Sequence, residues 1–172
     1  MNAPDWTLNK SVFIALGSNI NKEENLVKAI RALSEVCKVE RASSLYETKA
    51  VGMISETFYN AAILITTSLS AKQLKWDILR PMEARFGRVR NMPKFSPRPL
   101  DLDIVLYDTE ILTLDDKEIP DSDIVLYAHI SHPLAEIAPD FCHPITRQTL
   151  AQIAQESPNS KEIIGIYHYP RE

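Results

Sequence analysis

An α+β sandwich on a βαββαβ core is the fold class this chain predicts. Three observations predict it. Short apolar and β-branched runs alternate with two amphipathic helical stretches. The first run stops at Gly17-Ser18-Asn19, a turn signal. The second helical stretch is followed by a proline-rich loop and then another strand-like run, after which only short elements remain.

Ser11-Val12-Phe13-Ile14-Ala15-Leu16 reads as a buried strand. From Lys22 to Cys37, Leu26, Ile30 and Leu33 recur at helical spacing. Val39 to Thr48 reads as one extended region, Lys49 to Thr57 as a loop around Gly52, and Phe58 to Thr66 as a strand. Ser70-Ala71-Lys72-Gln73 is a capping box that opens a second helix, with Leu74, Ile78, Met82 and Phe86 on its apolar face. Pro81 falls inside that helix, where proline costs about 3 kcal/mol, so a kink or a break at Arg80 is expected. Gly87 ends the helix. Asn91 to Pro99 reads as a loop, Leu100 to Tyr107 as a strand, and Glu110 to Leu114 as its hairpin partner. Short helices are expected at Pro133 to Ile137 and Thr149 to Gln155, and an edge strand at Ile163 to Tyr167. The order is the ferredoxin-like arrangement, a mainly antiparallel sheet with helices packed on its faces.

The 172 residues suit one domain with one core. No apolar stretch approaches the roughly 18 to 20 residues that span a bilayer. Met1 to Trp6 lacks the basic region and apolar run of a signal peptide, and the expected location is cytoplasmic. Cys37 and Cys142 form neither a disulfide framework nor a zinc motif and read as buried thiols. The net charge of −4 argues against a nucleic-acid partner. Against that acidic average, Arg80, Arg85, Arg88, Arg90, Lys94 and Arg98 crowd one segment with Glu83 as its single acid. Such a local cluster suits a small polyanion such as a nucleotide triphosphate.

The chemistry concentrates in Ser96 to Tyr107. Asp101 and Asp103 are two apart, and in a strand that points both carboxylates to one face about 6 to 7 Å apart. Leu102, Ile104 and Leu106 then face the core. Two neighbouring carboxylates suit Mg²⁺, whose shell phosphate oxygens complete, and two ions about 3.5 to 4 Å apart could share the pair. Taken alone, a period-2 Asp pair is more often a strand face turned to water. Arg98, three residues ahead, with Arg88 and Arg90 at the preceding helix end, shifts the reading toward a metal–triphosphate site.

Gly87-Arg88-Val89-Arg90 and Pro97-Arg98-Pro99-Leu100-Asp101-Leu102-Asp103-Ile104 resemble the signature of the 6-hydroxymethyl-7,8-dihydropterin pyrophosphokinase family. Phe13 to Asn19, Ser43 to Thr48, Phe58 to Ala62 and Pro133 to Pro139 resemble further family segments in the same order. The resemblance covers about residues 11 to 155 and implies a domain at 10–155 between extensions at 1–9 and 156–172. It implies a Mg²⁺-dependent diphosphotransferase of folate biosynthesis. ATP would be the co-substrate and two Mg²⁺ ions the cofactors. Asp101 and Asp103 would bind the metal, and Arg88 and Arg98 would be catalytic. Glu83, Arg88, Arg90, Lys94, Arg98 and Ile104 would meet ATP. Thr48, Val51, Phe58, Asn60, Phe95, Asp101 and His129 would meet the pterin. The partners expected are pterin and ATP, with neither nucleic acid nor membrane, in a monomer or weak homodimer.

Four positions depart from the family pattern. Asp121 stands where His usually follows Pro, and its carboxylate would repel phosphate unless a cation intervenes. Tyr127 replaces a common arginine, His129 replaces an aromatic ring, and Arg80-Pro81 replaces a Gln-containing turn. They leave open a second reading, a diverged homologue that binds pterin or nucleotide without efficient transfer. An RNA-recognition module is a third, but its aromatic motifs are missing.

Overall fold

The computed structural model describes residues 9–49, 56–93 and 96–169. Six strands form an antiparallel sheet. β1 (Lys10–Ser18) lies one strand in from an edge, flanked by β5 (Asp101–Tyr107), which is that edge, and by the central β4 (Thr57–Thr67). β4 also pairs with β2 (Lys38–Ala42) and β3 (Leu45–Lys49), and β8 (Ile163–Tyr167) closes the edge beyond β3, where the sequence places an edge strand.

The two faces of β1 follow the period-2 rule. Val12, Ile14 and Leu16 point to a core shared with α1 (Lys22–Val36) and the helical segment 71–85; Leu26, Leu33, Leu74 and Leu79 are fully buried there. Phe13 and Ala15 point to the opposite layer, which contains α5 (Ala128–Ile137) and α6 (Leu150–Glu156). Ile104 joins the first layer and Val105 the second. Each layer buries large aliphatic side chains, each worth about 1.5–3 kcal/mol of hydrophobic stabilisation.

The extended region read at 39–48 is two strands, β2 and β3, separated by Ser43 and Ser44. Ser43 Oγ there accepts the Ala62 N–H (2.9 Å). The helix of residues 71–85 opens at the capping box of Ser70 and Gln73, as its sequence requires. It does not break at Arg80. α2 (Ala71–Gln73) runs into a π-helical stretch, Leu74–Leu79, and on into α3 (Arg80–Arg85). The Arg80 N–H donates to Lys75 O, five residues back. That wider turn lets a proline follow without the clash an α-helix imposes on the carbonyl four residues earlier. Gly87, at φ 88°, ends the helix.

β5 has no hairpin with 110–114. β6 (Leu112–Leu114) pairs with β7 (Lys117–Ile119) in a separate two-stranded sheet whose Leu114 and Ile119 are buried in the first layer. A preceding short helix, α4 (Asp123–Leu126), leads into α5. α5 starts five residues before Pro133 because Ile130, Leu134 and Ile137 form one buried stripe that holds the helix through the proline. Cys37 is half-buried, but Cys142 is exposed; both thiols are free. Among the described residues no helix is long and apolar enough to cross a membrane.

Candidate active site

Strand register builds the floor of a cleft. Gly17 on β1 sits opposite Asn60 on β4 and Asp101 on β5, and Ala15 sits opposite Ala62 and Asp103. Tyr46 and Thr48 on β3 continue these rows opposite Asn60 and Phe58. Paired residues share a face, so the two aspartates, the asparagine and Phe58 project to one side. The two smallest residues of β1 lie between them. Beyond this floor the same face is covered by α5, whose start contributes His129 and Ile130. The resulting cavity is about 270 Å³, lined also by Thr48, Ser96 and Arg98.

One wall carries the charges. Arg98 donates to Asp101 Oδ2 (2.8 Å), and Arg88 Nε lies 3.6 Å from Asp101 Oδ1. Asp103 Oδ1 has Arg80 at 3.7 Å and Lys117 at 3.9 Å. Four cations thus surround two carboxylates. The β1–α1 turn fixes Arg98. Asn19 Oδ1 accepts its backbone N–H, the Asn19 N–H donates to Arg98 O (3.0 Å), and Asn25 Nδ2 donates to Pro99 O (3.1 Å).

Behind Asp103 lies Glu83, 1% exposed. It accepts from Arg80 (2.7 Å), from the Leu102 N–H (2.8 Å) and from Arg90. The sequence alone allows Glu83 to be a helix-surface acid; burial excludes that. It ties α3 to β5 and orients two arginines.

The other wall is apolar and neutral. Asn60 Nδ2 donates to Thr48 Oγ1 (2.8 Å), and both residues are buried. Asn60 Oδ1 faces Gly17, 3.6 Å from where a Cβ would stand. Burial lowers the His129 pKa, so its imidazole is neutral at pH 7, and its ring lies 5.3 Å from that of Tyr127.

Asp121 has the cation its position requires. Lys117 Nζ sits 2.6 Å from Asp121 Oδ2. Burial disfavours the lysine's charge, but Asp103 and Asp121 outweigh it and its pKa is raised.

Residues 13–139 match the family model described as 7,8-dihydro-6-hydroxymethylpterin-pyrophosphokinase. The chain belongs to this family. It is 32% identical to the 2-amino-4-hydroxy-6-hydroxymethyldihydropteridine pyrophosphokinase of Aquifex aeolicus over 149 residues, covering 86% of this chain and 92% of that one. The Synechocystis protein of the same name is 35% identical, covering 83% and 74%. The folic acid synthesis protein of Pneumocystis carinii is 36% identical over 83% of this chain, but this chain spans only 20% of that longer relative. The fold is similar to that of the Plasmodium falciparum HPPK-DHPS structure with pteroate (TM-score 0.65, 12% identity, 86% of this chain and 42% of that one).

Every candidate site residue of this pyrophosphokinase family member lies within the matched span. Thr48, Phe58, Asn60, Arg98, Asp101, Asp103 and His129 line the cleft together. Arg88 reaches it through Asp101, while Glu83 and Arg90 lie behind that wall. Ile104 faces away, beside a narrow cavity of about 20 Å³ on the far side of Asp103. Val51, Lys94 and Phe95 lie outside the described residues.

Sequence reasoning does not single out Lys117. Its only signal is spacing: a lysine four residues before the unusual Asp121. Asn19 is legible only as part of a turn, and its hold on Arg98 spans 79 residues.

Proposed function

We propose that this chain transfers pyrophosphate from ATP to the hydroxymethyl group of 6-hydroxymethyl-7,8-dihydropterin, giving AMP and the pterin pyrophosphate. The observation that carries the reading is one cleft with two walls. Paired carboxylates ringed by arginines stand on one side, and Phe58, His129, Asn60 and Thr48 on the other. The first wall suits a metal-bound polyphosphate, and the second suits a flat polar heterocycle.

The residues fit Mg²⁺. Asp101 and Asp103 are hard oxygen donors, and both line the cleft. The buried Arg88 Nε has no hydrogen-bond partner, as expected of a group kept for a ligand. Bound there by Asp101 and Asp103, the metal would supply positive charge to offset that of the phosphates.

The chain's own residues supply positioning and charge. Arg98 and Arg88 turn from Asp101 toward the triphosphate and stabilise charge as the α–β bridge breaks. Arg90 and Lys94 add contacts to ATP, with Ile104 beside its base. Glu83 acts through Arg80 and Arg90. Phe58 and His129 hold the pterin ring, and Asn60 bonds its edge from a side chain already fixed by Thr48. The Val51 backbone and Phe95 complete the pterin site. The hydroxymethyl oxygen then attacks the β-phosphorus in line and gives up its proton to solvent, and AMP departs with the electron pair of the cleaved bond. The sheet and its helices are read as a ferredoxin-like core.

The test is a coupled assay with MgATP and 6-hydroxymethyl-7,8-dihydropterin. AMP and pterin pyrophosphate should appear in equal amounts and only with Mg²⁺. ATP binding without AMP formation would overturn transfer and favour the binding-only homologue.

A further inference from the structure

We propose that the Lys117 ammonium is a contact for the nucleotide triphosphate in this chain, with Asp121 as the residue that positions it; this rests on the activity proposed above. At first sight Asp121 is an obstacle, a carboxylate close to where phosphate must lie. The geometry removes the obstacle by hiding the anion and presenting the cation. The Asp121 side chain is 5% exposed and that of Lys117 is 42% exposed. Both carboxylate oxygens are already used. Oδ1 accepts the Asp123 N–H (3.0 Å), and Oδ2 takes Lys117 (2.6 Å). The Asp121 backbone N–H is fixed in turn to Val105 O on β5 (2.9 Å). The carboxylate is therefore turned into the protein, and its charge is offset by the ammonium beside it.

The ammonium has capacity to spare. It carries three donors, and Asp121 takes one. Asp103, at 3.9 Å, is beyond hydrogen-bond reach and attracts it without a bond. The lysine is also held in place from below. It opens β7, whose hairpin is anchored by buried Leu114 and Ile119. A buried anchor and a part-exposed ammonium, lining the small cavity beyond Asp103, make a fixed point charge beside the wall that carries the two carboxylates. Lysine binds phosphate in that manner, as a point charge.

A bland reading competes with this one: Lys117 merely neutralises a buried acid. Binding of MgATP's non-cleavable analogue α,β-methylene-ATP, measured by titration calorimetry, separates the two. Lys117→Met should weaken binding about tenfold or more, Lys117→Arg should stay within about threefold of wild type, and Asp121→Asn should fall between. The double variant Lys117→Met/Asp121→Asn removes both charges, leaves no unpaired buried acid, and guards against misfolding of the single variant. It should bind as weakly as Lys117→Met. Wild-type affinity in Lys117→Met or in the double variant would overturn the contact. Failure of wild type and all variants alike to bind the analogue would instead overturn the activity reading, and this inference with it.

Discussion

Arg98 donates to Asp101 Oδ2 across 2.8 Å, three residues along the chain, so the group proposed to stabilise phosphate charge is stored against the group proposed to hold the metal. Ligand binding must exchange that contact for new ones. Asp101→Ala should abolish Mg²⁺-dependent nucleotide binding and lower turnover by about 10² or more. Calorimetry with and without a chelator checks the first effect, and the coupled assay checks the second.

Arg98→Lys should not rescue Arg98→Ala. A guanidinium forms two parallel bonds to phosphate where an ammonium offers a point charge. Both variants should lose roughly 10²–10³ in kcat, with KM for the pterin little changed. A kcat within a few-fold of wild type in either would remove Arg98 from the catalytic machinery.

Gly17→Val probes the floor of the cleft. A Cβ at Gly17 would meet only Asn60 Oδ1, at an ordinary 3.6 Å, so the fold tolerates one. The added methyls would project between Asn60 and Asp101. We expect a melting temperature close to wild type and a pterin KM raised roughly tenfold or more.

Glu83→Ala should be destabilising by about 3–5 kcal/mol, because it strips a buried acceptor from two guanidiniums and the Leu102 N–H. Chemical denaturation measures it. A loss below 1 kcal/mol would show that Glu83 does not hold α3 to β5.

Glu47 sets an acid limb of stability. Hydrogen bonds from Thr57 and Lys22, with Tyr167 assisting, lower its pKa from 4.5 to about 2. The folded value lies below the unfolded one, so the contribution is full above pH 4.5 and is lost as pH falls toward 2. Wild type should exceed Glu47→Gln in stability at pH 6, and the gap should shrink steadily below pH 4.5 and close only as pH falls through about 2. A gap independent of pH would mean that the hydrogen bonds, not the charge, carry the effect.

Much of this site is legible in the sequence because its chemistry is local. Asp101 and Asp103 lie two apart on one strand, Arg98 lies three residues ahead, and period 2 alone puts both acids on one face. What was not legible is long-range. The partners of Asp103 come from a helix and from β7, and β6 pairs with β7 where the sequence suggests a hairpin of 110–114 with β5. Pro133 resembles a helix start, but the buried stripe of Ile130, Leu134 and Ile137 outweighs it. Asp121 reads as a misplaced charge until Lys117 is found beside it.

The π-helical stretch Leu74–Leu79 also makes two edits to the chain depend on each other. Loss of one residue inside an α-helix ordinarily turns everything after it by roughly 100°. Here a single deletion could be absorbed by relaxing the wide turn, leaving Arg80 and Glu83 aimed as before. The same relaxation would drive the Pro81 ring into the carbonyl four residues earlier. The deletion is therefore acceptable only in a background where Pro81 has already been replaced, an order of events that indels in this helix would have to follow.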